Sequence, residues 1–221
     1  MQAAHACTAA SVHFVTVVRR LEERLRASLP GAAAQVILAP RPRRDWAPGF
    51  DPARIRHAAG LLLVFPIDDR AHIVLTVRAD GLGRHGGQVS LPGGVVDPGE
   101  TFEHAALREA REEVSLATDD VRVLGALTPL DIPVSEFRLH PIVAAIDARP
   151  RLVGADAEVA SILEVAVDDL CDPRCLASTE RVRDGRPLVV PAFHACGRQI
   201  WGATAMVLAE FLALLGWRER L

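Results

Sequence analysis

The sequence predicts an α/β domain, a mixed sheet with helices packed on it. Three observations lead there. Apolar runs of strand length and stretches of helical period interleave along the 221 residues. Two of the runs, Ala58–Phe65 and His72–Val77, are separated by little more than the turn-forming pair Asp68-Asp69, which reads as a hairpin. Half of the residues are hydrophobic, enough for a sizeable core.

In chain order, residues 1–10 are small and expected to fray. From about Ser11 to Ser28 the period is helical: Phe14, Val17, Val18, Leu21 and Leu25 share one stripe, with Arg19, Arg20, Glu22, Glu23 and Arg26 off it. Such a helix is expected to dock on the domain. Pro30-Gly31 closes the segment. Residues 40–52 mix Pro40, Pro42, Pro48, Gly49 and Pro52 with arginines and read as an irregular arm. This divides the chain into 1–52, an N-terminal helix and arm, and 53–221, the main domain. The Ala58–Phe65 run reads as a buried strand. Residues 79–94 read as a long glycine-rich loop with a short strand near Gln88–Leu91. A helix is predicted over about Thr101–Val114, and strands over Val121–Leu127, Pro141–Ile146 and Leu188–Phe193. Ala160–Val167 fits a strand or a helix start, and Asp168–Leu170 begins a turn. Residues 172–187 look like a loop, and Thr204–Trp217 like the last helix.

Composition excludes several classes. The formal net charge is −3, so no basic surface for nucleic acid or an anionic membrane is expected. No apolar run reaches the roughly 18 residues of a membrane span. No signal peptide is evident, and a reduced cytoplasmic setting is expected. Four cysteines in a chain this long are not a disulfide framework, and Cys171, Cys175, His194 and Cys196 lack a standard zinc spacing. Arginine supplies every fixed basic charge, since the chain has no lysine. Its planar fork suits phosphate.

The chemistry concentrates in the predicted helix over Thr101–Val114. An α-helix turns roughly 100° per residue. Leu107, Ala110 and Val114 therefore share one face, and Glu109, Glu112 and Glu113 share another. Like charges so spaced repel. A hard divalent cation, Mg²⁺ or Mn²⁺, relieves that repulsion through oxygen ligands. Glu100 stands just before the helix, where its charge favours the positive end of the helix dipole.

The spacing from Gly94 through Glu100, Arg108, Glu109, Glu112 and Glu113 to Leu116 resembles the Nudix hydrolase signature, G-x5-E-x7-R-E-U-x-E-E-x-G-U, where U is apolar. Ala110 fills the first apolar place, and Ser115 stands where the signature has glycine. That resemblance implies an α/β/α sandwich around a mixed sheet, here with an added N-terminal helix. It implies Mg²⁺ or Mn²⁺ held by Glu109 and Glu113, with Glu112 as a further ligand or the group that orients water. It also implies that Arg108 secures the signature loop by pairing with Glu100. The implied reaction is attack of water on a diphosphate. A general base is not fixed by the resemblance; Glu158 is one candidate. A small nucleotide substrate is the implied partner, and a homodimer is compatible with the family.

Upstream, Leu75-Thr76-Val77-Arg78-Ala79 followed by Arg84 through Gly94 resembles the motif of the coenzyme A diphosphatase branch, L-L-T-x-R-[SA]-x3-R-x3-G-x3-F-P-G-G. Gly83 occupies the second arginine position, with Arg84 beside it, and Leu91 replaces phenylalanine. This resemblance implies coenzyme A as substrate and 3′,5′-ADP and 4′-phosphopantetheine as products. Arg78 and Arg84 are then the nearest candidates for the 3′-phosphate of coenzyme A, and Gly93 and Gly94 for close backbone approach. ADP-ribose, a dinucleotide or a ligand-sensing role are the alternatives.

Overall fold

The computed structural model describes residues 13–79, 87–155, 158–183 and 185–217. Expectations for residues 1–10, and for Gly83, Arg84 and His85, lie outside these. Eight strands form the central sheet. They are β1 (Arg56–Ile67), β2 (Arg70–Arg78), β3 (Val89–Ser90), β4 (Gly93–Val95), β5 (Arg122–Ala126), β6 (Leu130–Ile132), β7 (Phe137–Ala145) and β8 (Val159–Ala166). A smaller sheet holds β9 (Leu176–Arg183), β10 (Arg186–Ala195) and β11 (Arg198–Trp201). The helices are α1 (Phe14–Leu25), α2 (Ala32–Gln35), α3 (Phe102–Val114), α4 (Val167–Cys171) and α5 (Ala203–Leu214).

The sheet is mixed, as its sequence pattern predicts. β1 and β7 run parallel from Arg56↔Phe137 to Val64↔Ala145, and the other described ladders of this sheet are antiparallel. The hairpin turn is Asp68-Asp69, both at positive φ, a conformation that Asp tolerates better than most residues. β1 changes partner along its length. Its last residues pair with β2, and Ala58–Gly60 pair with β4. β3 pairs with β2 and β4 with β1, which brings Gly93 and Gly94 under α3.

Alternation along β1 builds two cores. Leu62 and Val64 face α1 and α5, in a cluster that takes in Phe14, Val17, Val18, Leu21, Phe211 and Leu212. Leu61, Leu63 and Phe65 face α3, against Ala105, Ala106, Ala110 and Val114. This is the expected three-layer sandwich with its added N-terminal helix. No helix among the described residues is long and apolar enough to cross a membrane. The N-terminal segment is fastened by a fully buried carboxylate. Glu210 of α5 accepts from the Gly31 N–H, the Thr128 N–H and hydroxyl, and the Gln35 amide. A buried charge needs that many donors to offset its lost hydration.

Several boundaries differ from expectation. α1 is shorter at both ends than Ser11–Ser28, and α4 forms where only a turn is expected. Residues 172–187 are not a loop: a short 3₁₀ turn at Pro173–Cys175 leads into β9. β11 lies at Arg198–Trp201, where no element is predicted, and the last helix ends at Leu214, short of Trp217. β4 and β6 occupy stretches with no predicted strand.

Candidate active site

α3 begins with Thr101, whose hydroxyl accepts from the His104 N–H and caps the helix. It ends at Ser115, in the left-handed region at φ 55°, which closes the helix where glycine would be less strained. Ala105, Ala106, Ala110 and Val114 face the core, and Leu107 is half-buried at its edge. The acidic residues follow on the neighbouring face.

Arg108 organises the loop before the helix. Its Nε and Nη2 donate to both oxygens of Glu100, each at 3.1 Å, in a fork. Its Nη2 also reaches the Val95 carbonyl at 2.9 Å, and its Nη1 reaches Glu109 at 2.8 Å and Glu112 at 3.3 Å. The guanidinium beside Glu100 holds that carboxyl below its ordinary range. One arginine thus ties together β4, the residue before the helix and two acids on it.

Glu109 and Glu113 meet the same glycine pair. The Glu113 Oε2 accepts from the Gly93 N–H at 3.2 Å. A Cβ placed on Gly94 would lie 2.4 Å from the Glu109 carboxyl, so the glycine is what lets that carboxylate lie against the strand. Gly93 is tighter still: its Cβ would meet the Ala59 carbonyl at 2.3 Å. The Gly93 N–H is therefore committed to Glu113 and does not lie open to a phosphate. Glu112, by contrast, is 59% exposed.

Glu113 is the most perturbed acid of the group. Burial pushes its carboxyl up to about 7. The Gly93 N–H pulls the other way, the Glu109 and Glu158 charges add to the rise, and Arg78 opposes it. The field of Arg78 and Glu158 is thus felt at Glu113. Their backbones are joined at the sheet edge, where Arg78 pairs with Val159 and the Ala79 N–H donates to the Glu158 carbonyl.

A raised carboxyl has a thermodynamic consequence. Between the ordinary value of 4.5 and about 7, the unfolded chain gives up this proton and the folded chain keeps it. Stability is therefore lost as pH rises through that window. In chelator, the melting temperature is expected to fall by several degrees between pH 5 and pH 7.5, relative to a Glu113→Gln variant that lacks the titration. Parallel melting curves for the two proteins would remove the buried charge from the account.

The donor set consists of hard carboxylate oxygens, which suits Mg²⁺ or Mn²⁺ and not a soft metal. Among the described residues no three acid, imidazole or thiol groups converge into a ready-made metal site. Arg108 occupies Glu109 and Glu112, and Gly93 occupies Glu113. What the sequence does not announce is the aromatic floor beneath the start of α3. There Phe102 stacks on His140 at 3.5 Å, and the His140 Nε2 lies 2.8 Å from the His57 Nδ1. These side chains come from separate elements, and no local spacing joins them.

The family described as "NUDIX domain" matches residues 55–184, more than half of the chain and all of this site. The chain belongs to the NUDIX family. A Pectobacterium atrosepticum protein named "Uncharacterized Nudix hydrolase NudL" is 37% identical over 123 residues, 55% of this chain and 64% of its own length. This Nudix chain therefore matches a little under two thirds of that relative. A Yersinia pestis protein of the same name is 36% identical over 137 residues, 62% of this chain and 68% of its own. Among solved structures, a Nudix hydrolase from M. Smegmatis, RenU, aligns at 27% identity with a TM-score of 0.43, covering 53% of this chain and 74% of that one.

Proposed function

We propose that this Nudix protein hydrolyses the diphosphate bond of coenzyme A or its acyl derivatives, giving 3′,5′-ADP and 4′-phosphopantetheine or its acyl form. The observation that carries the hydrolytic part is the convergence of Glu109 and Glu113 on Gly93-Gly94 beneath an Arg108–Glu100 fork. The coenzyme A part rests on Thr76, Arg78, Ala79, Gly87, Pro92, Gly93 and Gly94, which match the branch motif in register.

Glu109 and Glu113 are assigned as the main ligands of Mg²⁺ or Mn²⁺, with Glu112 as a third ligand or the group that orients water. An ion held by these carboxylates would supply charge neutralisation of the diphosphate, a lowered pKa for the attacking water and stabilisation of the leaving phosphate. Arg108 and Glu100 act by position: they hold the loop so that Glu109 stays against Gly94. Glu158, whose charge is felt at Glu113, is the candidate general base. Arg78 ends β2 with an exposed side chain and is assigned to a phosphate of the substrate. Arg84 keeps the same assignment from its motif position. The glycines serve by close packing, which brings the acids to the strand.

The test is product analysis. The protein is incubated with Mg²⁺ or Mn²⁺ and, separately, coenzyme A, acetyl-coenzyme A, ADP-ribose, NADH and nucleoside triphosphates. Release of 3′,5′-ADP from the coenzyme A samples, at the highest kcat/KM of the panel, is the expected result. Intact coenzyme A beside cleaved ADP-ribose or NADH would move the assignment to that substrate.

A further inference from the structure

A hollow of about 440 Å³ lies apart from the glutamates, lined by Arg149, Pro150, Arg151, Leu152, Ile162 and Glu164. We propose that it is the subsite for the second, remote phosphate of the substrate, the 3′-phosphate of coenzyme A, with Arg151 as the residue that grips it. The inference rests on the coenzyme A reading above.

Four observations carry it. First, the hollow adjoins the helix that bears the acids. The chain leaving Leu152 goes straight to α3, where the Val153 N–H binds the Val114 carbonyl and the Ala155 N–H binds the Glu113 carbonyl. Second, its floor belongs to the α3 side of the sheet. Ile162 and Glu164 are cross-strand partners of Thr76 and Val74, and Leu152 and Ile162 pack on the α3-side core. An apolar floor beside a polar rim suits a phosphorylated ribose. Third, the charges are sorted. Arg149 forms a two-point ion pair with Glu164, which cancels that acid. Arg151 is exposed and makes no ion pair among the described residues, so the hollow is left with net positive charge at a planar fork of donors. Fourth, Pro150 between the two arginines fixes its own φ, which limits how the pair can reorient.

A remote phosphate gripped in this way raises affinity without touching the bond that breaks. The effect belongs in KM and depends on the ligand's carrying that phosphate. The test compares coenzyme A with 3′-dephospho-coenzyme A, using the full chain and its Arg151→Ala and Arg151→Lys variants. Binding of 3′,5′-ADP and 5′-AMP is measured in parallel by calorimetry. The unaltered protein should prefer the 3′-phosphorylated member of each pair about tenfold. Arg151→Ala should raise KM for coenzyme A about tenfold, leave kcat and the dephospho substrate within twofold, and level the two nucleotides; Arg151→Lys should restore part of the preference. Arg151 is exposed, so unchanged melting temperatures are expected to show that the variants fold. Equal losses on both substrates, or none, would overturn the subsite. The nucleotide arm keeps the two readings apart: a 3′-phosphate preference lost in Arg151→Ala supports the subsite even if coenzyme A is not cut. Cleaved coenzyme A with no such preference rejects the subsite alone.

Discussion

Glu113→Gln is expected to lower metal-dependent hydrolysis about a thousandfold while leaving the protein folded. The substitution keeps the shape and an acceptor for the Gly93 N–H, so the contact at 3.2 Å can persist. It removes the negative charge that the proposed metal needs. Glu112→Gln should cost far less, because that side chain is 59% exposed and its one described partner is Arg108. Both are read as kcat with saturating Mg²⁺, beside melting curves in chelator. The separation between folding and activity is what matters. At pH 7.5 without metal, Glu113→Gln should melt no lower than the unaltered protein, since it no longer buries a charge whose carboxyl is pushed up to about 7. Full activity in Glu113→Gln would sink the metal assignment.

The adjacent glycines should fail in opposite ways. In Gly93→Ala the new methyl would lie 2.3 Å from the Ala59 carbonyl oxygen and 2.6 Å from the Gly60 Cα. Both are backbone of the neighbouring strand, so β4 must separate from β1. Overpacking of this kind costs about 3 kcal/mol or more, a fall of roughly 6–12 °C in melting temperature for a chain of this size. In Gly94→Ala the methyl would meet the Glu109 carboxyl at 2.4 Å. That group is the end of a side chain and can swing away. Stability should then hold within a few degrees while activity falls about a hundredfold, the usual cost of misplacing a reacting group by an ångström. A Gly93→Ala protein with normal stability, or a Gly94→Ala protein with normal activity, would contradict the packing described.

The contrast between these glycines also marks how far the sequence could be read. α3 was legible almost to the residue, because a Thr cap, an alanine-rich core stripe and an acidic stripe all agree over Thr101–Val114. β1 and β2 were legible for the same reason: apolar runs on either side of an Asp-Asp turn admit few alternatives. β4 was not, since Gly93 and Gly94 look like loop residues and pair only because Ala58–Gly60 lie opposite them. β9 was hidden differently. Leu176–Arg183 is an edge strand with most side chains exposed, so no apolar alternation marks it. β11 was missed because Arg198–Trp201 is four residues long, too short to show a strand period. Within the site, the spacing of the glutamates was plain. The commitment of the Gly93 N–H to Glu113, and the stack of Phe102 on His140, depend on distant strands and carry no local signal.

The buried carboxylate of Glu210 bears on where this protein can be cut. Its donors come from Gly31, Gln35 and Thr128, so a single acid near the end of the chain secures a segment near its beginning. The stretch that marks kinship, 55–184, includes neither Glu210 nor two of its three donor residues, and it omits both helices that cover one face of the sheet. What is inherited as a recognisable unit is therefore smaller than what must fold as one. A gene fragment trimmed to the recognisable part would present Leu62, Val64, Ile73, Leu75 and Val143 to water as a bare greasy wall, and it belongs in inclusion bodies, not in an assay.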